Sequence, residues 1–499
     1  MQSGNRLRGF PSAPQRALMT DTALSRLVTD ASRAHDGLSG FRLLEDAVDA
    51  LVARASLADA AQQTLDVQYY IVHDGLTTRM LVQRLLQAAD RGVRVRILLD
   101  DLTSHGQEVR LAALGAHDNI EIRVFNAVPA RRHSALARAL FVITNIHRMH
   151  RRMHNKLWLV DDAVGITGGR NLGDEYYGAS DAMNFSDLDL LVAGPLVEDM
   201  RRSFELYWDS PFALRIDQVG SRRPAADEVH LWRLRLLDRL RLAVQERPRY
   251  VSYLRERYAA RHVNEVASGL LWARGLVMAD EPEKIGTPER PSAESLLYSR
   301  VLDRIREVRE ELVLVSPYFV PGQEGMDLIR ELIGRGVKVK VLTNSLAATD
   351  LPLVHGGYTL YREALLDAGV ELYEMRARVA RRQRFMRLNA TASLHSKALV
   401  FDGEACFVGS LNMDPRSAFW NTEVGVLVDQ EELARQLRAL AIRGMDSEIS
   451  YRVTRDEHGH VRWHYDTARG PRVRRVEPGT PWRKLLAWFS RTFAPEELL

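Results

Sequence analysis

The chain has 499 residues, room for two or three domains at roughly 100–200 residues each, and its 46% hydrophobic and 27% charged content reads as globular rather than disordered. A net charge of +4 from 69 basic and 65 acidic residues is only mildly basic, so a local basic patch would carry more meaning than the total. One cysteine, Cys406, excludes an intrachain disulfide and any zinc site that needs two or four cysteines, and it fits a cytosol-facing location.

Residues 1–40 carry basic side chains without an apolar core segment, and the expectation is neither signal peptide nor anchor. No stretch reaches the ~18 apolar residues that a membrane-spanning helix needs; "ALFVITNI" (139–146) is far too short. A first domain is expected over 41–215. Its strand-like "TLDVQYYIVHDG" (64–75) is followed by a helical stretch, a second strand "VRVRILLDD" (93–101), and another at "IEIRVFN" (120–126). Residues 216–295 are helical in period and heavily charged, then rich in Pro, Gly and Ser, and read as a helical insertion and linker.

A second domain over 296–445 repeats the first. "ELVLVSPYFVPG" (311–322), a helix, "VKVKVLTNS" (337–345) and "VELYEMR" (370–376) follow the same order, and "RGVRVRILLDD" and "RGVKVKVLTNS" start 244 residues apart. Strands alternating with helices predict an α/β fold: two duplicated domains, each a mixed β-sheet flanked by helices, facing each other. The remainder, 446–499, is a C-terminal extension. In it Trp482, Leu485, Leu486, Phe489 and Phe493 fall on one helical face, with Arg483, Lys484 and Arg491 off it. Such a helix suits either a membrane interface or packing on its own domain. "ARVARRQRF" (377–385) is a basic loop that suits anionic lipid or plain solvent.

A second repeat lies inside the first. "HNKLWLVDDAVGITGGRN" (154–171) aligns with "HSKALVFDGEACFVGSLN" (395–412), matching His154 with His395, Lys156 with Lys397, Asp161 with Asp402, and Asn171 with Asn412. Each reads as a β-hairpin turning at "DD" or "DG" and returning to a Gly-rich segment. Residues two apart on a strand share a face, so each histidine points with its lysine. Two imidazoles, two ammoniums and two asparagines converging make a site for a phosphodiester. The lysines neutralise nonbridging oxygens, with Asn171, Asn412, Gly169 and Ser410 as phosphate-binding positions. One histidine can attack phosphorus and the other protonate the leaving oxygen, so no metal or cofactor is required. A lone His-x-Lys would mean little; two copies aligned at six positions, five of them identical and Gly169 facing Ser410, are specific. In "HRMHRRMHNK" (147–156), only His154 has a counterpart in the other half. His147 and His150 lack the spacing of a zinc helix, and with the arginines they read as a basic lip to the site or as plain surface.

The paired motif resembles the HKD motif of the phospholipase D superfamily. "TLDVQYYIVHDG", "RRMHNKLWLVDDAVGITGGRNLGDEYYGA", "FSDLDLLVAGPLVEDM" and "NMDPRSAFWNTEVGVLVD" are similar to the bacterial cardiolipin synthases of the C-type branch, over most of the chain from about residue 40. Gly169, where the second motif has Ser410, departs from the symmetry and suggests one hydroxyl fewer toward phosphate or histidine.

Each catalytic histidine also needs an orienting carboxylate. Asp161 and Asp402 sit at the hairpin turns, too far along the strand, and read as structural. The resemblance implies an acid on the next strand beside each histidine. Those are Asp187, 33 residues after His154 and with Asp189 as a rival, and Glu423, 28 residues after His395. It further implies His154 as nucleophile and His395 as acid and base. The reaction implied is phosphatidyl transfer to phosphatidylglycerol, giving cardiolipin, with phosphatidylethanolamine or a second phosphatidylglycerol as donor. The enzyme would be peripheral on the cytoplasmic face of a bacterial inner membrane and would need no nucleic acid. A phospholipase D hydrolase and a phosphodiesterase or nuclease are the alternatives.

Overall fold

The computed structural model describes residues 21–101, 108–127, 151–219, 224–259, 268–286, 296–377 and 391–493. His147, His150 and most of the 377–385 loop lie outside these residues. Twenty strands are numbered in chain order.

The first half supplies β1 (Ser39–Leu44), β2 (Thr64–Tyr69), β3 (Arg94–Asp100), β4 (Ile120–Phe125), β5 (Leu157–Val160), β6 (Val164–Gly168), β7 (Met183–Ser186), β8 (Asp189–Ala193) and β9 (Ala213–Arg215). The second supplies β10 (Leu271–Ala279), β11 (Glu311–Val315), β12 (Lys338–Asn344), β13 (Glu371–Met375), β14 (Thr391–Leu394), β15 (Ala398–Phe401), β16 (Ala405–Gly409), β17 (Val424–Asp429), β18 (Ser450–Arg455), β19 (Val461–Thr467) and β20 (Gly470–Arg474).

The halves are built alike. In the first sheet β2, β3 and β4 run parallel, β9 closes one edge, and the antiparallel run β5, β6, β8, β1 extends the other. In the second sheet β11, β12 and β13 are parallel, β18 flanks them, and β15, β16, β17 and β10 take the antiparallel places. This is the expected duplicated α/β fold. The sheets are not separate, however: β1 pairs antiparallel with β10, giving one sheet of 18 strands. A hydrophobic layer fills the space between the halves, with Phe41, Leu159 and Val192 from one and Val313, Val400 and Val426 from the other.

The 216–295 reading needs correction at its C-terminal end, where β10 lies. Its alternation is weak because it is partly exposed at Trp272 and Arg274 and sits next to the Pro/Gly-rich connector, so the sheet partner decides its conformation. The helices Ala226–Glu246 and Pro248–Ala259 match the helical part of the reading. They pack on the first half through Leu236, Ala243, Tyr250 and Leu254. The extension after 445 likewise contributes β18–β20 to the second sheet.

The hairpin turns form at the predicted places. Asp161 and Asp162 both take left-handed backbone angles (φ 51°), as do Asp402 (φ 54°) and Gly403 (φ 72°). The buried Asp161 carboxylate accepts the backbone N–H groups of Gln62, Gln63 and Thr64. Asp402 accepts those of Arg309, Glu310 and Glu311. Each motif aspartate thus ties its hairpin to the start of the neighbouring strand, β2 or β11. Replacing Asp161 by Ala leaves part-buried donors without an acceptor, a cost of roughly 1–3 kcal/mol, and Asp402→Ala, whose donors are largely solvent-exposed, should cost less. Urea unfolding should show that loss, while turnover per folded molecule stays near that of the unmodified chain.

Candidate active site

The site is positioned by two short backbone pairings that cross between the halves. β7 and β14 run parallel with Ser186 opposite Leu394, and the His395 N–H donates to the Ser186 carbonyl (2.8 Å). On the other side Met153 bridges Thr422 in parallel, and the His154 N–H donates to the Thr422 carbonyl (2.9 Å). The residue that follows Ser186 is Asp187, and the one that follows Thr422 is Glu423. Each histidine therefore stands beside the acid of the other half.

The ring contacts follow. His154 Nδ1 lies 2.8 Å and 3.0 Å from the Glu423 oxygens, and His395 Nδ1 lies 2.6 Å from Asp187 Oδ2. This corrects the expected pairing of each histidine with the acid of its own half. Both acids are at the site, but they are exchanged. Strand order cannot reveal this, because the pairing spans 269 and 208 residues. Asp189, the rival, faces away and forms buried ion pairs with Arg54 (2.8 Å) and Arg170 (3.3 Å).

The lysines lie with their histidines as expected from the two-residue spacing. Lys156 Nζ donates to the His154 carbonyl (2.5 Å) and Lys397 does the same to the His395 carbonyl. Both are buried. Aromatic rings wall the imidazoles: Tyr70 meets His154 edge-on at 5.0 Å, while Tyr176 and Phe185 lie 5.3 Å and 4.7 Å from His395.

Burial governs the charges. It lowers His154 well below the usual imidazole value, helped by Lys156 and Lys397, and it lowers His395, against the pull of Asp187. Lys156 drops to about 7 and Lys397 also falls, again through burial. The two acids diverge. Burial raises Glu423 to about 7; at Asp187 burial is outweighed by His395 and Lys397, which hold it at about 2. His395 thus keeps an ionised partner, whereas Glu423 is a far weaker counter-charge for His154.

The Gly169/Ser410 difference has a steric cause. A Cβ at 169 would collide with Asp187 Oδ1. At 410 the hydroxyl fills the matching space, donates to Glu423 Oε2, and accepts the Val424 N–H (3.0 Å). The Gly169 and Ser410 amides donate to Leu188 and Val424 carbonyls within the sheet. The phosphate contacts assigned to these two positions are therefore corrected: their hydrogens are spent on the acids' own strands. Asn171 donates to the Tyr176 hydroxyl (3.0 Å) and accepts from the Ile71 N–H, and Asn412 donates to Ser417 Oγ (3.3 Å). Each asparagine amide retains a second hydrogen.

Several supporting residues were missed. Asp100 accepts the Met153 N–H (3.0 Å) and Asn344 accepts the Leu394 N–H (2.9 Å), so each secures the residue just before a histidine. They stand 244 residues apart at the ends of the repeated strands, a signal the repeat already carried. Asp280, just after β10, accepts the Glu423 N–H (3.0 Å) and pairs with Lys284 (2.8 Å), and no pattern in the sequence marks that link. Among the described residues no three His, Cys, Asp or Glu side chains form a group able to hold a metal ion.

Gly169→Ser is expected to push Asp187 off His395 and lower activity severely, whereas Ser410→Ala should cost less because Glu423 keeps His154. Steady-state rates of the two variants check this asymmetry.

The family model described as "Cardiolipin synthase, PLD-like domain" matches residues 55–208 and 301–443, one copy in each half. Cardiolipin synthase C of Escherichia coli K12 is 36% identical over 488 residues, covering 95% of this chain and 99% of that protein. Cardiolipin synthase 2 of Staphylococcus epidermidis RP62A is 28% identical, covering 80% of this chain and 66% of that protein. The solved phosphatidylserine synthase of Haemophilus influenzae superposes with a TM-score of 0.59 at 13% identity over 95% of this chain and 100% of that one, which speaks for the fold. With both family matches falling on the two halves that each contribute a histidine, a lysine and the other's acid, the chain belongs to the cardiolipin synthase family of phospholipase D-like proteins.

Proposed function

We propose that the chain is a phosphatidyltransferase that makes cardiolipin. It would pass a phosphatidyl group from a donor phospholipid, phosphatidylethanolamine or phosphatidylglycerol, to an acceptor phosphatidylglycerol. The observation that carries this reading is the pair of buried imidazoles, each held at Nδ1 by a carboxylate so that Nε2 is left for chemistry, with a buried lysine beside each.

His154, lowered toward the neutral form and next to a weakly ionised Glu423, suits the nucleophile. Its Nε2 attacks phosphorus, the bond from phosphorus to the headgroup oxygen breaks, and His395, lowered by burial and Lys397 but drawn toward its cationic form by Asp187, gives its proton to that oxygen. The glycerol hydroxyl of the acceptor then returns a proton to His395 and attacks phosphorus, and the phosphorus–nitrogen bond breaks. An entering phosphate anion favours the charged form of both buried lysines, so binding and charge compensation are one event. Asn171 and Asn412 would donate to nonbridging oxygens. The lipid substrates imply an enzyme at the membrane, and the cytoplasmic face of a bacterial inner membrane is the proposed location.

Purified protein mixed with liposomes of labelled phosphatidylglycerol, with and without phosphatidylethanolamine, should yield cardiolipin identified by mass. Phosphatidic acid as the sole product would mean a hydrolase instead. For the roles, His395→Ala should lower lipid turnover by roughly 10²–10⁴-fold yet still release a single-turnover burst of nitrophenolate from a nitrophenyl diester, whose leaving group needs no protonation. His154→Ala should be inactive on both. Equal bursts from the two variants would reverse or abolish the assignment.

A further inference from the structure

The C-terminal helix, Pro481–Phe493, packs through its small residues and leaves most of its large apolar side chains outside, Leu486 being half-buried. Ala487 and Ser490 are buried against Gly356 of the Pro352–Ala368 helix, where a Cβ would collide with Ser490 Oγ and the Ala487 carbonyl. Trp482 (65% exposed), Leu485, Trp488 (56%), Phe489 and Phe493 (62%) are left outside. The neighbouring helix adds exposed Leu353 and Leu360, and the turn before it adds Leu351. These eight side chains form half of the large hydrophobic residues that stand exposed among the described residues. A set this dense on one face marks an interaction surface.

The surface is firmly attached. Glu477 bridges His355 (2.9 Å) and Arg362 of the Pro352–Ala368 helix, and Arg483 donates to the carbonyls of Leu346 (3.2 Å) and Thr349 (2.5 Å). That loop starts just after Asn344, whose side chain holds the Leu394 backbone next to His395. Its Asp350 accepts the Tyr318 hydroxyl (2.7 Å and 2.8 Å), and the Asp350 charge acts on His395, Lys397 and Tyr176. One short loop therefore separates the aromatic face from the catalytic histidine.

We propose that the outward sides of the Pro481–Phe493 helix and of residues 351–360 dock on an anionic phospholipid bilayer and set the His395 side of the active site against its headgroups. This rests on the lipid-substrate reading and goes beyond it by naming the surface and its orientation. Two observations favour a bilayer over a protein partner. Besides the anchoring Arg483, the helix carries Lys484 and Arg491 and no acidic residue, which complements anionic headgroups. Its exposed side combines tryptophan and phenylalanine with aliphatic residues, the composition of a helix lying in the interface. No helix among the described residues is long and apolar enough to cross a membrane, so attachment through them is by this face rather than by a span.

The test uses the full chain and vesicles of phosphatidylglycerol and phosphatidylcholine. The triple variant Trp482→Ser, Leu485→Ser, Phe489→Ser should sediment with vesicles about tenfold less well or worse and lose vesicle-supported turnover, while retaining its rate on monomeric short-chain phosphatidylglycerol. Fluorescence of the unmodified chain should be quenched by acyl-brominated lipid, and less so in the double variant Trp482→Phe, Trp488→Phe. This measurement does not depend on the triple variant folding. Undiminished vesicle binding by the triple variant, or equal quenching of both chains, overturns the proposal. So does lipid-free, concentration-dependent dimerisation that the triple substitution abolishes, since the face would then be covered by a second copy. Vesicle binding through this face without cardiolipin formation would leave the surface standing and sink the proposed reaction.

Discussion

Two backbone bridges determine what the site is. Where Met153 pairs with Thr422 and Leu394 with Ser186, the chain exchanges orienting acids between its halves. Glu423 is fully buried and Asp187 is 5% exposed, and a charge taken out of water in this way must be matched or neutralised. The match is the other half's histidine. The active site and the contact between halves are thus one interaction: weakening either leaves buried ionisable groups uncompensated. The continuous sheet through β1 and β10 and the apolar layer beneath it hold the two halves in the register that this exchange requires.

Within a near-symmetric frame, the two acids differ by one methylene, and that difference spreads outward. The longer Glu423 leaves room for the Ser410 side chain, whose hydroxyl binds it, while the shorter Asp187 occupies the space where a side chain at 169 would go. Glu423 drifts toward neutrality and Asp187 remains ionised. A duplicated domain has in this way acquired two chemically unequal imidazoles without moving either motif histidine.

Much of this was legible beforehand. The equal spacings from His154 and His395 through their lysines, turn aspartates and asparagines gave both hairpins, because turn chemistry and strand alternation are local. The α/β class followed for the same reason. The partner of each histidine was not legible. Distance along the chain favours an acid on the next strand of the same half, whereas the observed pairing is set by tertiary contacts with no sequence period. β10 was hidden by a similar cause: a partly exposed strand beside a charged helical segment lacks clean alternation and takes its conformation from β1 and β17. At the C-terminal helix four of the five residues expected on one apolar face stand exposed together with Trp488, while Leu486 is half-buried; which face packs depended on Gly356 in a helix more than a hundred residues away.

The crossed bridges also fix an order in time. As the chain leaves the ribosome, the first half carries His154 and Asp187 to the surface with neither partner yet made. His395 arrives 208 residues after Asp187, and Glu423 28 residues after that. Contacts of such sequence separation form late, after each half has built its own local strands and helices. A prematurely terminated chain that stops before residue 423 therefore holds a histidine with no acid to orient it. The orienting pair at His154 is complete only once most of the second half has been made.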